Sequence, residues 1–156
     1  MNIYLIRHAT AEPTTHLKKD SVRELTDEGI KLLQESCAIW KNYVNGFDFI
    51  LSSPLKRALQ TAELVAENFN YKNDIIKDSA LLPGGNTSSI IQLADSIEGE
   101  DVAFFGHQPD MTHHISRLVG VSDLRIKFSP ASIAKISFDG KAKKDKGTLI
   151  FLLPPF

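Results

Sequence analysis

An arginine and a histidine stand side by side at Arg7-His8, directly after the apolar run Ile3-Tyr4-Leu5-Ile6. Neither side chain is easily buried without a partner. The pair therefore belongs at a strand end, either as a satisfied structural pair or as part of an anion site. A second cluster, Leu51-Ser52-Ser53-Pro54-Leu55-Lys56-Arg57, ends another apolar run in two hydroxyls and puts Arg57 in the first turn of a helix opened by Pro54. The free N–H groups and the dipole of that helix end already favour an anion. A cation placed there opposes the dipole, and a negative ligand relieves the conflict. Lys56 beside it reads as a solvated surface residue. The third cluster is Phe104-Phe105-Gly106-His107, where Gly106 permits close backbone approach to a ligand and His107 sits at a strand end. Each cluster alone has a structural explanation. Two arginines and two histidines converging on one edge make a dense positive pocket for which packing has no use. The guanidinium fork matches phosphate oxygens in a bidentate way, and an imidazole can act as a nucleophile. The chemistry indicated is phosphoryl transfer.

Elements that could bring these clusters together follow from the pattern of apolar residues. Residues 3–6, 47–51 and 102–105 read as strands buried on both faces, 74–77 as a short strand, and 133–138 with 148–153 as a closing hairpin around the polar loop 141–146. Ile30, Leu33, Cys37, Trp40 and Val44 recur at helical spacing from a Thr26 N-cap to Gly46. Further helical stripes are Ala58, Ala62, Val65 and Phe69; then residues 87–97 with Ile90, Leu93 and Ile97 inward; then a helix opened by Pro109 with Ile115, Leu118 and Val119. Alternating strands and helices predict an α/β sandwich with a largely parallel sheet. Ligands bind such sheets beyond the carboxyl ends of the strands, which places residues 7–10, 52–57 and 106–110 near one another.

The chain has 156 residues, enough for one domain, 1–156, with its own core. Its 42% hydrophobic and 24% charged residues are ordinary for a soluble globular protein. With a net charge of −1 there is no basic field for nucleic acid or anionic membrane. The lone Cys37 forms no internal disulfide, and no run approaches the roughly 18 apolar residues of a membrane helix. The start of the sequence lacks the pattern of a signal peptide. The expectation is a cytoplasmic protein with no nucleic-acid or membrane partner.

Arg7-His8 followed by a small residue resembles the Arg-His-Gly signature of the histidine phosphatase superfamily. Ser52-Ser53-Pro54-x-x-Arg57-Ala58-x-x-Thr61-Ala62 is similar to that family's second motif, and Gly106-His107 to its third, in the same order from residue 3 to about 138. The resemblance implies a phosphoglycerate mutase-like fold: a single-domain three-layer α/β/α sandwich with a mostly parallel sheet. It implies His8 as the nucleophile, Arg7 and Arg57 as ligands of the phosphoryl oxygens, and His107 as a donor to the phosphoryl group as it moves. Two departures stand out. Ala9 replaces the usual glycine and would clash if its φ had to be positive. Residues 80–86 hold no carboxylate where many relatives carry the acid that protonates the leaving oxygen. The small phosphohistidine phosphatase branch is similar in that respect, in its short length, in the Asp-Ser-x-Arg-x-Leu-Thr segment (Asp20 to Thr26) and in the Leu-x-Pro-Gly turn (Leu81 to Gly84). An alkoxide leaving group needs a general acid. An imidazole, titrating near ~6.5, takes up its proton from water.

The leading expectation is a phosphoric-ester or phosphoramidate hydrolase that removes phosphate from phosphohistidine on a protein. The alternatives are a small-molecule phosphomonoesterase of the same fold and, in a different class, a non-catalytic phosphate-binding module; mutase activity fits poorly with the short chain and missing acid. Phosphate, vanadate and tungstate are expected as site ligands, with no cofactor and no metal. Arg23 is either a third phosphate ligand or a surface residue paired with Asp20 or Glu24. Asp20 and Glu12 read as solvated loop residues rather than acids, and Ser52 and Ser53 as helix caps. His113 and His114 sit near His107 and Asp110, but their spacing is not that of helical zinc ligands.

Overall fold

In the computed structural model, which describes residues 1–155, the apolar run at the N-terminus becomes the middle of a sheet. Six strands are described: β1 (Asn2–Arg7), β2 (Phe49–Ser52), β3 (Ile76–Lys77), β4 (Asp101–Gly106), β5 (Ile133–Ser137) and β6 (Thr148–Leu153). They lie in the order β3-β2-β4-β1-β5-β6. β3, β2, β4 and β1 run parallel, and β5 and β6 add an antiparallel pair beside β1.

Side-chain alternation along β1 explains why the sheet is covered on both faces. Ile3 and Leu5 enter one core with Ile90 of helix α3 (Thr87–Asp95) and Met111, Ile115 and Leu118 of helix α4 (Asp110–Val119). Tyr4 and Ile6 enter the other, with Leu33, Cys37 and Trp40 of α1 (Asp27–Trp40) and Ala62 and Val65 of α2 (Lys56–Asn68). A strand with both faces buried reads as a continuous apolar run, and truncating one such residue, as in Leu5→Ala, costs about 2–5 kcal/mol. The result is the expected three-layer α/β/α sandwich. Among the described residues no helix is long and apolar enough to cross a membrane.

Element ends differ from expectation in ways with local causes. Thr26 caps α1 as read, accepting the Gly29 N–H at 3.0 Å. The helix stops at Trp40, however, and not at Gly46. Residues 41–43 continue as a turn in which Val44 N–H reaches the Trp40 carbonyl at 2.9 Å, so Val44 keeps helical spacing outside the helix. α2 starts at Lys56 after an extended Leu55, not at Pro54, and α3 ends at Asp95, two residues short of Ile97. β3 is confined to two residues because only Leu51 and Ser52 of β2 pair with it.

The carboxyl ends of β2, β4 and β1 are adjacent and laced together by backbone bonds. His8 N–H donates to the Gly106 carbonyl at 3.1 Å and Ser53 N–H to the Phe105 carbonyl at 3.0 Å. At Gly29 a Cβ would lie 2.3 Å from the Thr10 carbonyl oxygen. The missing side chain is what lets the first turn of α1 close against the loop after His8.

Candidate active site

The three clusters meet in one pocket of about 340 Å³, walled by Arg7, His8, Arg23, Arg57 and His107, with Pro83, Gln108 and Pro130 at its sides. The His8 and His107 rings lie 5.3 Å apart between centroids. Nδ1 of His8 is 2.7 Å from the Ala9 carbonyl oxygen. A carbonyl only accepts, so Nδ1 carries the proton and Nε2 keeps its lone pair. Burial lowers the His8 pKa to about 4, and Arg57, Arg7 and Arg23 push the same way against the opposing bond to Ala9. His107 is pushed to about 3 by burial, then by His8 and Arg57. Both rings are neutral near pH 7.

Each arginine is anchored on one side. Arg7 donates through a terminal nitrogen to the Phe128 carbonyl at 3.0 Å. Arg57, 5% exposed, donates to the Asp20 carbonyl at 3.1 Å and its carboxylate at 3.3 Å. Arg23 donates to the Asp20 carboxylate at 2.9 Å and to the Glu12 carbonyl at 2.7 Å. Arg7 Nε, Arg57 Nε and His107 Nδ1 are all buried with no hydrogen-bond partner among the described residues. Buried donors are normally satisfied, and three orphans on residues sharing one pocket suit a tetrahedral oxyanion.

Arg23 is no surface residue: its side chain is 17% exposed, lines the pocket and pairs with Asp20. Asp20 is not a freely solvated loop residue. It bridges Arg23 and Arg57, and although burial raises its pKa, the two guanidiniums hold it below the usual carboxylate range. Glu12 braces the same loop, bonded to Lys18 at 2.8 Å and to the Glu24 N–H at 3.1 Å. Lys56 is a surface residue, paired with Glu24 at 2.5 Å. Residues 80–86 reach the pocket through Pro83, and the nearby Asp110 carboxylate already accepts the Gly84 N–H at 2.9 Å.

Sequence reasoning missed three supports. Ser52 and Ser53 do not cap α2, whose N-cap Leu55 has no side-chain cap bond: the Ser52 hydroxyl donates to the Ser53 carbonyl at 2.9 Å, and Ser53 Oγ accepts the Leu55 N–H at 3.3 Å while lying 2.8 Å from His107 Nε2. Thr61 ties α2 to the loop after His8, accepting the Ala9 N–H at 3.0 Å and donating to the Arg57 carbonyl at 2.7 Å. Ala131 adopts φ 63°, and its N–H reaches the carbonyls of both Arg7 and His8 at 3.2 Å. A left-handed alanine is strained, and no local motif announces it. Ala9, by contrast, is fully buried and is not among the positive-φ residues, so its methyl group meets no backbone conflict. His114 is buried and bonded to Thr87 at 2.8 Å, away from His107's pocket. Among the described residues no three His, Cys, Asp or Glu side chains are grouped to hold a metal ion.

Residues 3–82 match the family model described as histidine phosphatase superfamily (branch 1). Comparison with curated proteins gives no match. Among solved structures, the protein histidine phosphatase SixA complexed with tungstate superposes with TM-score 0.83 at 23% identity, over 98% of this chain and 96% of that one. A protein of Agrobacterium tumefaciens proposed to be a SixA phosphohistidine phosphatase gives TM-score 0.83 at 24% identity, over 99% and 97%. A phosphoserine phosphatase mutant of Entamoeba histolytica, in complex with phosphoserine, gives TM-score 0.71 at 17% identity, over 97% and 95%. At these identities the likeness establishes the fold.

Proposed function

This chain belongs to the histidine phosphatase superfamily, and we propose that it is a phosphatase working through a phosphorylated His8, with phosphohistidine on a protein as its preferred substrate. The observation that carries the reading is the state of the His8 ring. Its Nδ1 is tied to a carbonyl oxygen, its Nε2 is left nucleophilic, and burial beside three arginines keeps it neutral. A module that only bound phosphate would need no such atom.

In the first step His8 Nε2 attacks phosphorus. The P–N bond to the substrate imidazole breaks as the bond to His8 forms, and the released imidazole takes a proton from solvent. Water then attacks the phosphorylated His8, gives up a proton, and inorganic phosphate leaves with His8 restored. Arg7 and Arg57 hold the equatorial oxygens, with Arg23 beside them, and stabilise their charge in the transition state. The Ser53 oxygen already meets the Leu55 N–H, so its hydroxyl hydrogen can point to His107 Nε2. That leaves the proton of His107 on Nδ1, where it can donate to the phosphoryl group. No step calls for a cofactor or metal.

The preference for phosphohistidine is supported by what surrounds the leaving atom. Residues 80–86 contain no carboxylate, and Asp20 is held ionised by two arginines. A small-molecule phosphomonoesterase is the second reading, favoured by the likeness to the phosphoserine-bound Entamoeba protein. Trapping tests the shared core. Incubation with a radiolabelled phosphohistidine protein should yield an acid-labile, alkali-stable phosphoenzyme, absent in His8→Ala. Turnover without that intermediate, or retained in His8→Ala, would overturn it.

A further inference from the structure

A second cavity, of about 470 Å³, flanks the catalytic pocket across the 83–85 turn. Pro83 lines the first and Gly85 the second, and two residues of chain span at most about 7 Å. Asp110 pins that turn by accepting the Gly84 N–H at 2.9 Å. α4 then runs from Asp110 along the second cavity, to which it contributes His113, His114 and Arg117.

The floor of this cavity is polar and fixed. His114 is 1% exposed, with Nδ1 2.8 Å from the Thr87 hydroxyl. Its rim is cationic. Arg117 and Lys144 are both exposed, and neither forms an ion pair among the described residues. Backbone bonds hold them together: Asp145 N–H donates to the Arg117 carbonyl at 3.0 Å and Gly147 N–H to the Leu118 carbonyl at 2.8 Å, docking the loop before β6 on the end of α4. The helix dipole accounts for Arg117 in the last turn of α4. It does not account for Lys144, which is brought to the same rim. Two cations with no ion-pair partner among the described residues line one cavity, and an anion seated there is attracted by both. Ile91 supplies an apolar wall for the methylenes of a long acidic side chain.

We infer that this cavity is a docking subsite for an acidic side chain, aspartate or glutamate, of the protein whose phosphohistidine enters the catalytic pocket. The inference rests on the proposed action on a phosphoprotein and adds where specificity for that protein is set.

Two phosphohistidine peptides, alike except for glutamates or lysines flanking the phosphorylated residue, test it. The glutamate peptide should show a KM about tenfold lower, a gap that added salt narrows. In the double variant Arg117→Glu with Lys144→Glu the preference should disappear or reverse, while kcat/KM on phosphoramidate stays unchanged; Arg117→Gln with Lys144→Gln should move it the same way by less. Equal KM for both peptides in the unmodified protein, or a preference that survives the charge reversal, would overturn the subsite. If neither peptide is turned over, the phosphatase reading fails, and anisotropy of the labelled, unphosphorylated glutamate peptide decides the subsite alone. Binding lost in the double variant sustains it, and no binding to the unmodified protein, or binding unchanged by the variant, removes it.

Discussion

The Ser53 hydroxyl oxygen lies 2.8 Å from His107 Nε2, with both side chains buried. One ring nitrogen is therefore engaged, and the other, Nδ1, is one of the pocket's three orphan donors. Ser53 positions His107 and sets its tautomer. Ser53→Ala should lower kcat roughly 10- to 100-fold, as loss of an orienting bond typically does, with little change in thermal midpoint, and Ser53→Thr should restore most of it. An unchanged kcat in Ser53→Ala would mean that packing alone orients His107.

Arginine truncations should grade according to anchoring. Arg7→Ala and Arg57→Ala each remove a guanidinium whose Nε has no other partner, and should weaken vanadate inhibition by roughly a hundredfold. Arg23 already satisfies the Asp20 carboxylate and the Glu12 carbonyl. Its truncation should weaken inhibition by roughly tenfold. Inhibition constants for vanadate and tungstate across the three variants give the order directly, and an Arg23 effect as large as that of Arg57 would contradict it.

Rate should depend steeply on the leaving group. With Asp20 held ionised and no carboxylate in residues 80–86, developing charge on an ester oxygen goes unprotonated. Phosphohistidine should turn over fastest, aryl phosphates slowly, and alkyl phosphates barely. The check is kcat/KM against leaving-group pKa. A flat dependence would point to a hidden acid, with Asp20→Asn and Glu12→Gln as the variants that find it.

Three histidines have lowered pKa values in the fold: His8 to about 4, His107 to about 3 and His114 to about 4, each chiefly through burial. In the unfolded chain they protonate near ~6.5. Between those limits the unfolded state binds more protons, so stability is full above about pH 6.5 and falls as the pH drops toward about 4. Each histidine contributes a slope of at most about 1.4 kcal/mol per pH unit. Urea unfolding at pH 7, 6 and 5 measures the slope, and His114→Asn should make it shallower without touching the catalytic pocket. Imidazole ¹⁵N shifts should show His8 neutral down to about pH 4. Stability that stays flat or rises toward acid, or His8 titrating near ~6.5, would contradict the burial argument.

What was legible in the sequence was what local chemistry writes there. Buried parallel strands announce themselves as apolar runs, and candidate site residues fall at their ends because the sheet puts them there. Arg7, His8 and His107 were visible as candidates for that reason, and Arg57 because a cation in the first turn of a helix opposes its dipole. The supports were not. Ala131 holds the Arg7 and His8 carbonyls from far along the chain, in a conformation that alanine seldom takes. Asp20 looks like any loop aspartate until the fold puts Arg57 beside it. Helix ends slipped where a turn carried the apolar spacing onward, as at Val44.

The register of β1 has a consequence for synthesis on the ribosome. Asn2 pairs with Asp101 on one side and with Ser137 on the other. β1 emerges long before either neighbour exists, and its apolar residues 3–6 stay unpaired until β4 has been made. A chain stopped just before β5 would contain Arg7, His8, Arg23, Arg57 and His107 without the strand that flanks β1. All five residues of the candidate site are thus made before the strand that completes the framework beside β1.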